Sequence, residues 1–205
     1  MKTAAAVVLV LALAGLFGKD KKKEPPPPPS YGAPPVVSNF ECGDPANVQV
    51  DAATKQRIVR FGKQLYRNQV VSDDVLDEVA YYIVLYSRSY CLEPELAASL
   101  IARESGFNPK AVSSTGAKGL GQMIDSTARS MGVEDPFDIQ QNLKGSLGYL
   151  KKLFDKCEGR PNQADLALAS YLQGPNAVAK HGRVPDSVKR YIRELYEYRN
   201  EMISY

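Results

Sequence analysis

Apolar residues recur at helical spacing in several stretches of this chain. Ile58, Phe61 and Leu65 fall at i, i+3 and i+7, and Val75, Leu76, Val79 and Ile83 share one face behind Ser72, whose hydroxyl suits an N-cap. Leu143, Leu147, Leu150 and Phe154 form another stripe, and Asp186 introduces a last helix with Val188, Ile192 and Leu195 facing inward. Between these lies a further helix of about a dozen residues, begun by Pro94 and ended by Gly106 as a left-handed stop. Asn108-Pro109 forbids its continuation. No alternating pattern long enough for a useful strand competes and no internal repeat is visible, so the spacing predicts an all-α bundle of short helices.

The chain ahead of the helices has a different character. Ala4 to Phe17 is an uninterrupted run of small and apolar residues behind Met1 and Lys2, and Ala12-Leu13-Ala14 offers a small-x-small cleavage site. This predicts a secretory signal over residues 1–18, and hence a protein exported to the periplasm or cell envelope. The run is short for a bilayer span, which needs about 20 residues. A retained signal tethering the protein to the membrane is the alternative, because Lys19 and Lys21 to Lys23 lie where the positive-inside rule disfavours translocation. No cysteine follows the run, so lipoprotein attachment is not indicated. A Lys-rich and then proline-only stretch comes next, with little periodic signal up to about Ala53. It predicts a linker over 19–53, extended where it is proline-rich. Residues 54–92 then read as a helical extension ahead of the domain that begins at 93.

Composition narrows the function classes. The chain is 44% hydrophobic and 24% charged, the balance of a globular protein. Its formal charge of +3 comes wholly from residues 1–30, where five lysines face two acids. The folding part is therefore neutral, and a nucleic-acid partner is not expected. Cys42, Cys91 and Cys157 allow at most one intramolecular disulfide, with the pairing open. His181 is the lone histidine, so neither a metal site nor any other cofactor is expected.

One residue stands out chemically. Glu104 lies in the last turn of the helix that starts at Pro94, and the positions stacked beneath it are Ile101, Leu100, Ala97 and Leu96. A carboxyl on this inward face is disfavoured in its charged form by burial and by the negative end of the helix dipole. Both effects favour a proton near neutral pH, which is what a general acid needs. On helix position alone, a glutamate fringing the core with its head in solvent is the commoner case.

The surrounding residues change that weighting. From 103 the chain reads R-E-S-G-F-N-P-K-A-V-S-S-T-G-A-K-G-L-G-Q-M-I-D-S-T. D-P-F-D-I-Q-Q-N-L follows at 135–143, Y-L at 149–150 and A-L-A-S-Y-L-Q-G-P at 167–175. These four ordered blocks resemble the catalytic domain of the soluble lytic transglycosylases. The resemblance implies an all-α, lysozyme-like catalytic domain over 93–205, acting as a monomer on the glycan strands of peptidoglycan. Envelope or secretion-apparatus proteins are the protein partners it implies. Glu104 would be the catalytic acid/base and Tyr171 the tyrosine whose hydroxyl approaches it. Ser105, Gly119, Gln122 and Met123 would meet the sugar. The implied reaction breaks the β-1,4 bond between N-acetylmuramic acid and N-acetylglucosamine without water, leaving a 1,6-anhydromuramyl end.

Two departures from the family pattern bear on the cleft. Leu172 stands where many relatives have asparagine, and Gly121 replaces a commoner bulky residue, which predicts a wider cleft and altered subsites. No second acid is prominent. Asp125 reads as an N-cap for a helix starting at Ser126, and Asp135 as a turn residue before Pro136. A lysozyme-type hydrolase using Asp125 and a water, and a non-catalytic glycan-binding or assembly module, stay open as alternatives. G-A-K-G-L-G at 116–121 fits neither phosphate-loop spacing. His181 beside Gly182 reads as a helix cap, and Tyr191, Tyr196 and Tyr198 read as packing residues on the last helix.

Overall fold

The computed structural model describes residues 42–65, 71–181 and 183–205; the expected signal (1–18), most of the expected linker and Gly182 lie outside them. Eight α-helices account for the fold: α1 Ala52–Leu65, α2 Asp73–Ser89, α3 Pro94–Ser105, α4 Asp125–Ser130, α5 Ile139–Lys156, α6 Gln163–Gln173, α7 Pro175–His181 and α8 Asp186–Ile203. Only isolated β-bridges, Val112 with Lys118 and Lys118 with Met123, interrupt the helical pattern among the described residues. The all-α expectation holds.

Local chemistry sets the helix ends. Ser72 accepts from the Val75 amide at the start of α2, and Asp138 caps α5 by accepting from Gln141. Pro94 occupies the first turn of α3, where its missing N–H would have had no partner. Gly106 closes α3 in the left-handed conformation, at φ 64°.

α3 is the buried axis of the bundle. Pro94 through Ala102 are all buried, so this helix is enclosed on every side rather than amphipathic. It packs against α8, α2 and α1, while α2 also packs on α5 and α5 on α6. Leu100, Ile101, Leu143, Leu147, Leu150, Val188 and Leu195 join in one continuous core. Glu95, an acid inside that core, is neutralised by Arg57 at 2.7 Å. Ser99 returns its hydroxyl to the Leu96 carbonyl. Buried polar groups on α3 are thus partnered, as a water-free interior requires.

The two helices ahead of α3 belong to the same core. Ile58 and Phe61 of α1 and Leu76, Val79, Ala80 and Ile83 of α2 are buried within it. Cys42 is joined to Cys91 by a disulfide spanning 49 residues, and Cys157 is a buried free thiol. Residues 42–51, the last part of the expected linker, are thereby fastened to the end of α2, and they include a 3-10 turn at Pro45–Asn47. Phe61 couples α1 to the turn that follows α3. Its ring meets Phe107 edge-on at 6.4 Å and tilts against Tyr198 of α8 at 5.2 Å. Phe61→Ala should cost about 3–5 kcal/mol of stability. A shift in the urea midpoint at unchanged slope is the readout, and a loss under about 1 kcal/mol would separate α1 from the core.

Candidate active site

The last turn of α3 carries Glu104 out of the buried helix to the edge of a groove of about 370 Å³. Burial pushes its carboxyl above the usual carboxylate range. Two neighbours oppose that shift without overturning it. The Tyr191 hydroxyl of α8 donates to Glu104 Oε1 at 2.5 Å, and the Arg103 guanidinium lies close enough to favour the anion. The carboxyl therefore keeps its proton more readily than a free glutamate, yet has a donor ready when it ionises.

Tyr191 is itself held. Arg103 lies over its ring at 5.6 Å and donates to Glu194 at 2.7 Å, and Glu194 also takes Arg190 at 3.0 Å. Tyr191 is buried, which together with the neighbouring carboxyl raises its phenol well above the ordinary value. It stays a donor over the whole range in which Glu104 titrates.

The groove runs past Glu104 between the 113–127 segment and the C-terminal end of α6. Gln122, Met123, Tyr149, Tyr171 and Leu172 line it, and Glu104 is the one carboxyl among its described lining residues. Gln122 spends its amide nitrogen on the carbonyls of Gly119 and Ala111, at 2.9 and 3.3 Å. Its amide oxygen accepts no hydrogen bond among the described residues and is the end left for a ligand. Tyr149 and Tyr171 lean together, with ring centroids 5.7 Å apart.

The segment facing Glu104 is pinned from α5. Buried Asn142 accepts from the Gly121 amide at 2.8 Å and donates to the carbonyls of Pro136 and Lys118 at 2.8 and 3.3 Å. On its other side, the Gly121 carbonyl accepts from the Tyr171 hydroxyl at 2.8 Å. A Cβ at Gly121 would fall 2.3 Å from Ser146 Cβ and 2.9 Å from that hydroxyl. The glycine does not widen the cleft, as the missing side chain suggests; Ser146 and Tyr171 fill the space it leaves.

This arrangement of an inward glutamate, an anchored glycine-rich segment and a lining tyrosine coincides with a family match. The transglycosylase SLT domain model matches residues 82–193, more than half of the chain. The chain belongs to the transglycosylase SLT family. A "Transglycosylase" of Enterobacteria phage PRD1 is 34% identical over 113 residues, covering 54% of this chain and 41% of that protein. A "Membrane-bound lytic murein transglycosylase F" of Desulfosudis oleivorans is 45% identical over 80 residues, covering 38% of this chain and 18% of its own. A protein of the same name from Alcanivorax borkumensis is 38% identical over 82 residues, again 38% and 18%. The chain thus spans less than half the length of these curated relatives.

The structure places the expected site residues at different distances from the groove. Tyr171 lines the groove beside Glu104, but its proton goes to Gly121, and the hydrogen bond to the carboxyl comes from Tyr191. That corrects the reading of Tyr191 as a packing residue; Tyr198, against Phe61, and Tyr196, donating to Asp165 at 2.7 Å, do pack. Ser105 turns its hydroxyl back to the Ile101 carbonyl at 3.1 Å and is not among the groove residues. Gly119 is buried at φ 72°, where a Cβ would strike the Pro136 carbonyl oxygen at 2.0 Å, so it serves packing. Met123 and Leu172 do reach the groove wall, Leu172 adding an apolar side chain to it.

The remaining candidates lie outside the groove. Asp125 is the first residue of α4 rather than its cap, which is Ile124, and its exposed carboxyl pairs with Lys118 at 2.8 Å. Lys118 holds it below the usual carboxylate range. Asp135 accepts from the Phe137 amide in the turn before α5. His181 ends α7, and its side chain lies outside the described residues. No group of three His, Cys, Asp or Glu among the described residues is placed to hold a metal.

A carboxyl raised by folding stabilises the native state below the ordinary carboxylate range and loses that contribution as pH climbs through the folded value. Glu104→Gln should therefore melt higher than wild type near neutral pH, with the gap closing toward about pH 4. A wild type as stable as the variant at both ends would show the carboxyl to be unstrained. Tyr191→Phe removes a donor to the ionised form, so the Glu104 titration, followed by carbon-13 NMR, should move to higher pH. An unmoved titration would deny that this hydrogen bond acts on Glu104.

Proposed function

We propose that this protein is a peptidoglycan lytic transglycosylase that cuts between N-acetylmuramic acid and N-acetylglucosamine to leave 1,6-anhydromuramyl ends. The observation that carries the reading is a single carboxyl, shifted upward by burial, at a groove of about 370 Å³ and paired with a tyrosine donor. Glycosidases of the two-carboxylate kind hold a second acid within about 5–9.5 Å of the first. Asp125, the acid nearest in sequence within the cleft segment, is turned to Lys118 outside the groove lining, which weighs against a hydrolase built on it.

The chemistry needs one group used twice. Tyr191 donates to Oε1, so the transferable proton of Glu104 belongs on Oε2. That proton goes to the departing glycosidic oxygen as the C1–O4 bond breaks, and the substrate's own acetamido oxygen supports the cationic centre. The carboxylate left behind is stabilised by Tyr191 and Arg103. It then takes the C6 hydroxyl proton as O6 closes on C1. The proton inventory returns to its start and no water is consumed. Leu172 supplies apolar contact in place of an amide, so subsite affinity is altered while the acid/base pair is intact.

The protein works outside the cytoplasm, in the cell envelope. The leader-like residues 1–18 and the Cys42–Cys91 disulfide both support export, since such bonds persist in oxidising compartments. No helix among the described residues is long and apolar enough to cross a membrane. Purified sacculi digested with wild type should release anhydro-ended muropeptides detectable by mass spectrometry. Glu104→Gln should lower the rate on the order of 10²–10⁴-fold. Reducing-end products would select a hydrolase, binding without release a non-catalytic module, and equal anhydro yield from both proteins would refute the assignment.

A further inference from the structure

A second cavity, of about 410 Å³, opens on the flank of the seam between α6 and α8. Its apolar floor is made by Leu166, Val184 and Ile192, and its rim carries Arg160, Arg183, Lys189 and Arg193. Residues 31–205 carry no net charge, so four cations around one opening are a local concentration rather than an overall bias. The acids nearby only partly cancel them. Asp165 in the wall accepts from Tyr196 at 2.7 Å and makes no ion pair with the rim cations among the described residues. Asp186 pairs with Lys189 at 2.7 Å and more loosely with Arg183 at 3.7 Å. Arg193 makes no ion pair among the described residues.

The cavity is tied to the catalytic groove by the same two helices. On α8, Tyr191 touches Glu104 while its neighbours Ile192 and Arg193 line the cavity. On α6, Asp165 and Leu166 line the cavity while Tyr171 and Leu172 line the groove. Seven residues of helix separate Asp165 from Leu172, a rise of about 10 Å. An extended chain of four residues reaches about 13 Å. We propose that this cavity receives the carboxylates of the short acidic peptides borne by the glycan strand, and so selects strands that still carry them. The inference rests on the reading of the groove as a peptidoglycan site. Peptide is favoured over a phosphate-bearing polymer because the cations flank an apolar floor, which a peptide's side-chain carbons fill and a phosphate does not.

The test compares intact glycan strands with strands stripped of peptide by an amidase. Wild type and the doubly substituted Arg183→Gln/Arg193→Gln protein are assayed on both. Wild type should show a KM about tenfold lower on peptide-bearing strands at low salt, with similar kcat. The variant should lose that difference while matching wild type on stripped strands, which also certifies its fold. Titration of each protein with a free acidic tetrapeptide and with inorganic phosphate reads binding apart from turnover. The tetrapeptide should bind wild type more tightly than phosphate does, and the variant should lose it. Equal KM values for wild type on the two substrates, a difference retained by the variant, or phosphate binding as tightly as the peptide would each overturn the proposal. Failure of both proteins to cut either substrate, with tetrapeptide binding to wild type intact, would instead count against the groove's assigned reaction.

Discussion

The architecture turns on one short hydrogen bond, from the Tyr191 hydroxyl to Glu104 Oε1. A carboxyl at the carbonyl end of a buried helix is disfavoured as an anion by desolvation and by the helix dipole together. Left alone it would hold its proton tightly, quick to take one back and poor at giving it up. Tyr191 and Arg103 temper it, and Glu194 fixes Arg103 against α8. The α3–α8 seam is therefore both the main packing contact of the core and the device that sets proton affinity at the groove.

The opposite side of the groove obeys a different constraint, the satisfaction of buried backbone. The segment after α3 has little secondary structure of its own, and its peptide groups need partners. Asn142 supplies three hydrogen bonds from inside α5, and Tyr171 supplies one from α6. Gly121 is clamped between them, with Ser146 filling the volume a side chain would need. Positioning of Gln122 and Met123 at the groove follows from that clamp. The N-terminal helices act from behind, Phe61 bracing both Phe107 and Tyr198.

Much of this was legible in the residues. The helix that begins at Pro94 and stops at Gly106, the Ser72 cap, the stripes on α5 and α8 and the place of Glu104 above an apolar face all follow from spacing, because a helix repeats within four residues. The four family blocks led to the groove segment as well. The pairing of Cys42 with Cys91 was not legible, since three cysteines admit several pairings and only folding brings two of them to a Cα separation of 5.2 Å.

The sequence alone determined that the described domain is helical, where α2, α3 and α8 begin, and that position 104 stacks on the apolar face of its helix, since each depends on neighbours a few residues away. Tertiary structure alone decided which tyrosine serves that acid. The hydroxyl of Tyr171 goes to Gly121 and that of Tyr191 to Glu104, and the choice lies in how α6 and α8 pack around the end of α3. It likewise decided that Ser105 turns away, that Gly121 fills rather than widens, and that four scattered cations meet around one cavity. Contacts made across 50 to 87 residues leave no periodic trace in the chain, because they are set by packing between helices and not within them.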